Sequence, residues 1–203
     1  MTDKTPRERR QQRTRDAILQ TAVKMIREKG ADNLSLRAIA REIDYSPAGL
    51  YEYFSNKDAI IDAVCMRGNE YLARYLNAVD ENTAIEEYLV ELGLAYVSFA
   101  KDNPEMFTLM FSHLNGPVEQ ITVDDLSDDD AFAILARAVQ KAVESGKIHS
   151  ADEFDLMELS YSLWAVVHGM ATLQVTYLGD FPVDFKRIDR FTLQSFIKGL
   201  MQS

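Results

Sequence analysis

The stretch from Ser35 to Asp58, SLRAIAREIDYSPAGLYEYFSNKD, constrains this chain more tightly than any other. Ser35 stands just before an apolar stripe, Leu36, Ile39, Ala40 and Ile43, spaced as one face of a helix, and its hydroxyl is suited to cap that helix. Asp44-Tyr45 follows as a turn, because Asp tolerates the left-handed backbone that a helix end often needs. Ser46 is placed to cap a second helix whose first position is Pro47, where a missing N–H costs nothing. Leu50 and Phe54 are expected to face inward, and Asn56 to cap a further helix. Two short helices joined by a tight turn at this spacing predict a helix-turn-helix, which lays its second helix in the DNA major groove.

The run AIAREIDYSPAGLYEYFSNKDAII resembles the DNA-binding domain of the TetR family of bacterial transcriptional regulators. That family's pattern is a Ser/Thr-capped helix, a Gly-Val-Ser turn, then Leu-Tyr-x-His/Tyr-Phe-x-x-Lys. Leu50, Tyr51, Tyr53, Phe54 and Lys57 match it, whereas Asp44 replaces the usual Gly and Gly49 replaces a polar residue that commonly contacts bases. The resemblance covers roughly the first 60 residues and weakens beyond them. It implies an all-α protein of about nine helices: an N-terminal three-helix DNA-binding domain followed by a helical ligand-binding and dimerisation domain. The expected boundaries are 1–58 for the basic arm and helix-turn-helix and 59–203 for the effector and dimerisation domain.

Charge distribution fits this division. The 203 residues carry a net charge of −10, yet residues 1–60 hold 12 Lys/Arg against 9 Asp/Glu. The remainder holds 10 against 23, so a basic module precedes an acidic body that DNA would repel. One cysteine, Cys65, excludes an internal disulfide and reads as a small core residue suited to a reducing cytoplasm. The N-terminus lacks the apolar run of a signal peptide, and the stretch Leu163 to Leu173 falls well short of the ~18 residues of a membrane span. A cytoplasmic location with no membrane partner is expected.

Helical periodicity continues along the chain, with no strand pattern and no repeat. After a disordered arm to about residue 8, a first helix should run from Glu8 to Lys29, with Ile18, Ala22, Met25 and Ile26 inward and Gly30 closing it. A fourth helix is expected from Lys57 to about Asp80. A fifth should start at a capping box, Thr83 to Glu86, and a short sixth at Asn103-Pro104. An acidic loop over 114–126 leads to a seventh helix capped by Ser127 and closed at Gly146. Ser150 with Glu153 reads as the capping box of an eighth helix reaching Leu178, ~40 Å long and apolar nearly all round. A ninth helix from about Asp184 to Met201 carries two apolar rows, Phe185, Ile188, Phe191, Phe196 and Leu200, and Leu193, Ile197 and Met201.

DNA binding needs phosphate contacts for affinity and groove contacts for sequence. Arg9, Arg10 and Arg13 are the candidate backbone or minor-groove cations. Ser35 and Ser46 are caps first, with phosphate contact as a second use. Tyr51, Tyr53 and Lys57 match phosphate-contacting positions of the family that the stretch resembles. Pro47, Ala48 and Gly49 offer bases no hydrogen-bonding side chain, but their small size allows close approach and methyl contacts, leaving Arg37 as the candidate for a guanine.

In the body, Trp164, His168 and Gly169 resemble a Trp-x-x-x-His-Gly motif of one subgroup of TetR-like C-terminal domains. With Tyr96, Phe99, Phe107, Met110 and Phe111, Trp164 and His168 could line an effector cavity or simply form core. Trp164, Val167, Ala171, Val175, Phe185, Ile188, Phe191, Ser195, Phe196 and Gly199 are the expected homodimer face, where small residues permit close helix approach. No catalytic motif is present and no cofactor is expected. The expected function is a homodimeric regulator of double-stranded DNA: a repressor released from a palindromic operator by a small apolar or amphipathic effector. The alternative is control by a protein partner, or by a metal held by His113 and His168 with acids.

Overall fold

The computed structural model describes residues 5–112, 127, 130–148, 154–179 and 181–202. Within them the chain is helical throughout: α1 (Pro6–Lys29), a 3-10 turn (Ala31–Asn33), α2 (Leu36–Glu42), α3 (Pro47–Leu50), α4 (Lys57–Asn77), α5 (Ile85–Asp102), α6 (Pro104–Ser112), α7 (Ala131–Glu144), α8 (Leu156–Thr176) and α9 (Phe185–Gln202). Two compact units are present. The first holds α1 to α3, α4 as far as Gly68, and α6 from Glu105; the second holds the rest of α4, α5 and α7 to α9.

In the first unit, α1 starts two residues before its expected first residue, Glu8, because Thr5 and Glu8 form a reciprocal capping box. Glu8 N–H donates to Thr5 Oγ1 at 3.3 Å and Thr5 N–H to Glu8 Oε2 at 2.7 Å. Pro6 adds a backbone angle already set for the first turn, so chain expected to be a disordered arm is helix from Pro6 onward. Gly30 closes α1 at φ +77°, where a side chain would be strained. Ile18, Leu19, Ala22 and Ile26 face the core, with Leu19 more deeply buried than the expected Met25. Ile39, Ala40, Leu50, Phe54, Ile60 and Val64 are buried in the same unit. Asp16 takes an ion pair from Arg67 of α4 at 2.9 Å. On the other side of α4, Gly68 is needed as glycine: a Cβ there would lie 2.5 Å from Met110 Sδ of α6.

In the second unit, α5 is the central helix and packs on α7, α8 and α9. It approaches its neighbours at Gly93, where a Cβ would come 2.8 Å from both Leu193 methyls and 3.1 Å from Val167. The inner face of α7 is built mostly from Ala131, Ala133, Ala136, Ala138 and Ala142, which lets it lie close to its partners. Arg190 of α9 reaches two carboxylates of α5, Glu87 at 2.7 Å and Glu91. Between α8 and α9 the buried Gln174 amide donates to the buried Asp189 carboxylate at 2.9 Å. Burial pushes the Asp189 pKa upward, with that hydrogen bond and Lys101 opposing the shift.

Several helix starts differ from the sequence expectation. Thr83 makes no capping box, because its hydroxyl donates to Asp80 O at 3.1 Å and Asp80 Oδ1 takes the Asn82 N–H at 3.0 Å. Helix α5 therefore begins without a side-chain cap. Asp130, not Ser127, caps α7, accepting from Phe132 N–H at 2.8 Å and Ala133 N–H at 3.2 Å. The acidic loop at 114–126 and the Ser150–Glu153 box lie outside the described residues. Asp155 and Glu158 form the box that opens α8, making that helix about 31 Å long at the usual rise. Helix α4 stops at Asn77. No helix among the described residues is long and apolar enough to cross a membrane.

Replacing Gly93 with Val should force α5 away from Leu193 and Val167. We expect a loss of about 1–3 kcal/mol in urea unfolding, with helical content retained before the transition.

Candidate functional site

The helix-turn-helix is assembled from local bonds and a small apolar core. Ser35 Oγ accepts Ala38 N–H at 3.2 Å, and Ser46 Oγ accepts Gly49 N–H at 3.0 Å. Asp44 adopts φ +52°, the left-handed conformation that the turn requires, and Tyr45 N–H donates back to Ala40 O at 2.8 Å. Asn56 Oδ1 accepts Ala59 N–H at 2.8 Å to start α4. Leu50 and Phe54 are buried as expected, and the Arg15 guanidinium lies 4.5 Å from the Phe54 ring centre.

The candidate DNA-contacting side chains lie in this unit. Arg9, Arg10 and Arg13 are exposed on α1, and Arg37 is exposed on α2. Pro47 and Ala48 are exposed, Tyr51 is 60% exposed, and Tyr53 is half-buried. Lys57 donates to Asp32 O at 3.1 Å, tying the start of α4 to the 3-10 turn. Gly49 has a neighbour that its small size did not reveal. The Tyr45 ring lies over it, and a Cβ at 49 would stand 2.6 Å from Tyr45 Cε1. Tyr45 also packs edge-on to Tyr53, with ring centres 6.2 Å apart. Tyr53 borders a cleft of about 420 Å³ whose other walls are Glu8, Gln11, Gln12, Arg15 and Glu52.

In the second unit three of the candidate effector residues, Trp164, Tyr96 and His168, form a hydrogen-bonded chain. Trp164 Nε1–H donates to Tyr96 Oη at 3.3 Å, and Tyr96 Oη lies 2.9 Å from His168 Nδ1. With the phenol donating, Nδ1 is the acceptor and the imidazole proton resides on Nε2. Burial pushes the Tyr96 pKa strongly upward, keeping it a proton donor, and burial lowers the His168 pKa, keeping it neutral. Phe132 of α7 packs edge-on to Trp164 at 6.0 Å. Phe99 is fully buried against Tyr75. Phe107, Met110 and Phe111 belong to the first unit, where Phe107 and Phe111 pack together at 5.0 Å. A separate open cleft of about 570 Å³ between α5 and α9 is lined by Glu86, Glu87, Val90, Lys147, Ile197 and Lys198 among others, and by none of the expected effector residues. Among the described residues no three metal-ligating side chains converge; His113 and His149 lie outside those residues.

The expected dimer face is divided by the fold. Val167 and Ala171 are buried inside the second unit, and Trp164 is engaged with Tyr96 and Phe132. Those side chains have partners within the protomer. Val175, Phe185 and Phe196 are half-buried. Ile188 is 45% and Phe191 70% exposed, in line with exposed Ser195 and Gly199, whereas the other row of α9 turns Leu193 and Ile197 into the core. On α8 the outward row is Tyr161, Ala165, Gly169 and Leu173, spaced four residues apart along one stripe.

The His168 environment sets a sign for pH dependence. Its folded pKa is depressed below the ordinary 6.5, so the unfolded chain takes up a proton that the folded protein resists. The stability contribution is complete above that ordinary value and is lost as the pH falls through the depressed one. In urea unfolding at pH 7.5 and 5.5, the His168→Gln protein should lose less stability on acidification than the parent.

Residues 18–64 match the family model described as bacterial regulatory proteins, tetR family, and residues 89–194 match a tetracyclin repressor-like C-terminal domain. Among curated proteins, the chain is 21% identical over 189 residues to the uncharacterized HTH-type transcriptional regulator YobS of Bacillus subtilis, covering 93% of each chain. It is 35% identical over 81 residues to the HTH-type transcriptional regulator UidR of Escherichia coli, covering 39% of this chain and 41% of that one. Among solved structures, a protein with unknown function from Rhodococcus sp. RHA1 superimposes with a TM-score of 0.78 at 27% identity, over 93% of this chain and 95% of that one. With a capped helix-turn-helix in the first match and a helical bundle in a second match that spans half its length, the chain belongs to the TetR family of bacterial regulatory proteins.

Proposed function

We propose that this DNA-binding regulator is a homodimeric repressor, released from a two-fold symmetric operator by a small amphipathic effector. The helix-turn-helix carries the reading: its serine-capped turn is built on the basic end of an otherwise acidic chain. TetR regulators typically dimerise and bind operator DNA, which supports a two-headed arrangement here. In this reading, residues 1–58 form the DNA-binding domain and 59–203 the effector and dimerisation domain. Lys57, Tyr51, Tyr53, Arg9, Arg10 and Arg13 contact phosphates. Arg37, Pro47 and Ala48 face base edges, with Arg37 on a guanine.

The effector site is proposed at Trp164, Tyr96 and His168, the Trp-x-x-x-His-Gly element and its α5 partner. Their hydrogen-bonded chain offers polar handles among apolar walls, which suits a molecule with one hydrogen-bonding group on an apolar body. Effector binding would act by favouring a body state in which α4 tilts and the two heads no longer fit successive major grooves. Dimerisation is assigned to the outward rows of α8 and α9, with Ala165 and Gly169 allowing close approach of a second copy.

Selection of duplex DNA from a random library by the full chain tests the reading directly. Recovery of an inverted-repeat site, protected symmetrically in footprinting, supports it; binding without sequence preference overturns the operator assignment. On the selected site, Lys57→Ala should weaken all sequences alike and reduce the salt slope by about one unit. Arg37→Ala should instead relax preference at one base pair per half-site, read by competition among single-base variants. Phe191→Glu should halve the sedimenting mass and weaken operator binding while leaving the protomer folded by circular dichroism.

A further inference from the structure

We propose that Arg15 holds a DNA backbone phosphate: its guanidinium, laid over the Phe54 ring, shares that phosphate with the Tyr53 hydroxyl in the cleft between α1 and the chain just after α3. The proposal rests on the DNA-binding reading of the first unit and adds to it a cation outside the group of Arg9, Arg10 and Arg13. Glu8, Gln11, Gln12 and Arg15 stand at i, i+3, i+4 and i+7 on α1, so they form one polar stripe. Glu52 and Tyr53 face that stripe, and together the six residues line about 420 Å³.

The partners of these side chains decide what the cleft suits. Phe54 is 4% exposed, so the core fixes its ring, and Arg15 Cζ stands 4.5 Å from the ring centre. A guanidinium over a ring face is restrained, while its N–H edge remains able to grip two oxygens of one anion. Among the described residues no carboxylate forms an ion pair with Arg15. The Glu8 carboxylate is committed to the start of α1, where Oε2 accepts the Thr5 N–H at 2.7 Å and the Thr5 hydroxyl at 2.8 Å. The Gln12 amide donates to Asp16 at 3.4 Å. The donors that remain on the cleft walls belong to Arg15, Gln11 and Tyr53, a set matched to the oxygens of a phosphate. Arg9, Arg10 and Arg13 are exposed on the same helix, which favours a polyanion over a lone phosphate ion. Glu52 opposes the anion and so limits affinity that carries no sequence information.

The test measures full-chain variants on a fluorescent duplex selected by the parent protein, at several salt concentrations, with thermal midpoints alongside. Arg15→Met keeps a long side chain on the Phe54 ring but removes the charge. It should weaken all duplexes about tenfold and flatten the salt slope by about one unit. Arg15→Lys should restore the slope but only part of the affinity, because the charge returns without the planar fork. Glu52→Gln should tighten binding about two- to threefold. In ethylation interference, one phosphate per half-site should matter to the parent, matter less to Tyr53→Phe, and drop out for Arg15→Met. A parental salt slope in Arg15→Met, whatever its midpoint, would overturn the proposal, as would an interference pattern identical to the parent's. Glu52→Gln leaves the Phe54 contact intact, so unchanged or weaker binding by that variant counts against the proposal independently of folding. If the parent protein selects no duplex, the DNA-binding reading itself fails, which is a distinguishable result.

Discussion

Two serine hydroxyls, each accepting one backbone N–H, determine where α2 and α3 begin, and the reading head depends on that placement. Helices of 7 and 4 residues cannot persist alone in water, because nucleation fixes too many dihedrals for too few bonds. Each is held at its start by a cap and along its length by burial: Leu36, Ile39 and Ala40 for α2, Leu50 for α3. Asp44 at φ +52° joins the two without glycine. Local bonds hold the turn between the two helices, and α2 packs on both α3 and α1.

This locality explains what the sequence could reveal. Caps, turn residues and the Leu50–Phe54 spacing are all decided within a few positions, so the head is legible in the sequence. The two rows of α9 were equally legible, but which row faced inward was not. Leu193 fits inside because Gly93 of α5 leaves room for it, and that glycine lies a hundred residues away; Ile197 follows on the same row. The Thr83 box failed for a different reason: Asp80 and Asn82 formed their own turn and took the threonine hydroxyl first. Every apolar residue of α8 looked like core, since composition alone does not say which faces a single protomer can cover.

The same divide runs through the candidate sites. Trp164 and His168 share a helical face and could be paired by spacing alone. Their bond partner Tyr96 sits on another helix, 68 and 72 positions distant, and only folding joins the three. Tyr45 and Gly49 are four residues apart, near enough to be noticed. Yet an exposed aromatic before a glycine carries no pattern that distinguishes a covering ring from a solvent-facing one. Gly49 therefore read as an absence of chemistry at the base-reading position, whereas the structure fills its space with the chain's own aromatic.

The buried Gln174–Asp189 pair has a consequence for how faithfully the α8–α9 unit is built. Two apolar helices can slide past one another by a turn and lose little, because one methyl contact replaces another. With an amide and a carboxylate matched at one level, each slipped arrangement strands a carboxyl group in apolar surroundings. The pair works as a registration pin, exchanging some stability for uniqueness. Since Tyr161 and Leu173 on α8 and Ile188 and Phe191 on α9 project outward from those same helices, the pin also fixes how their exposed rows line up, and so the surface a second copy would meet is cast as one shape rather than several.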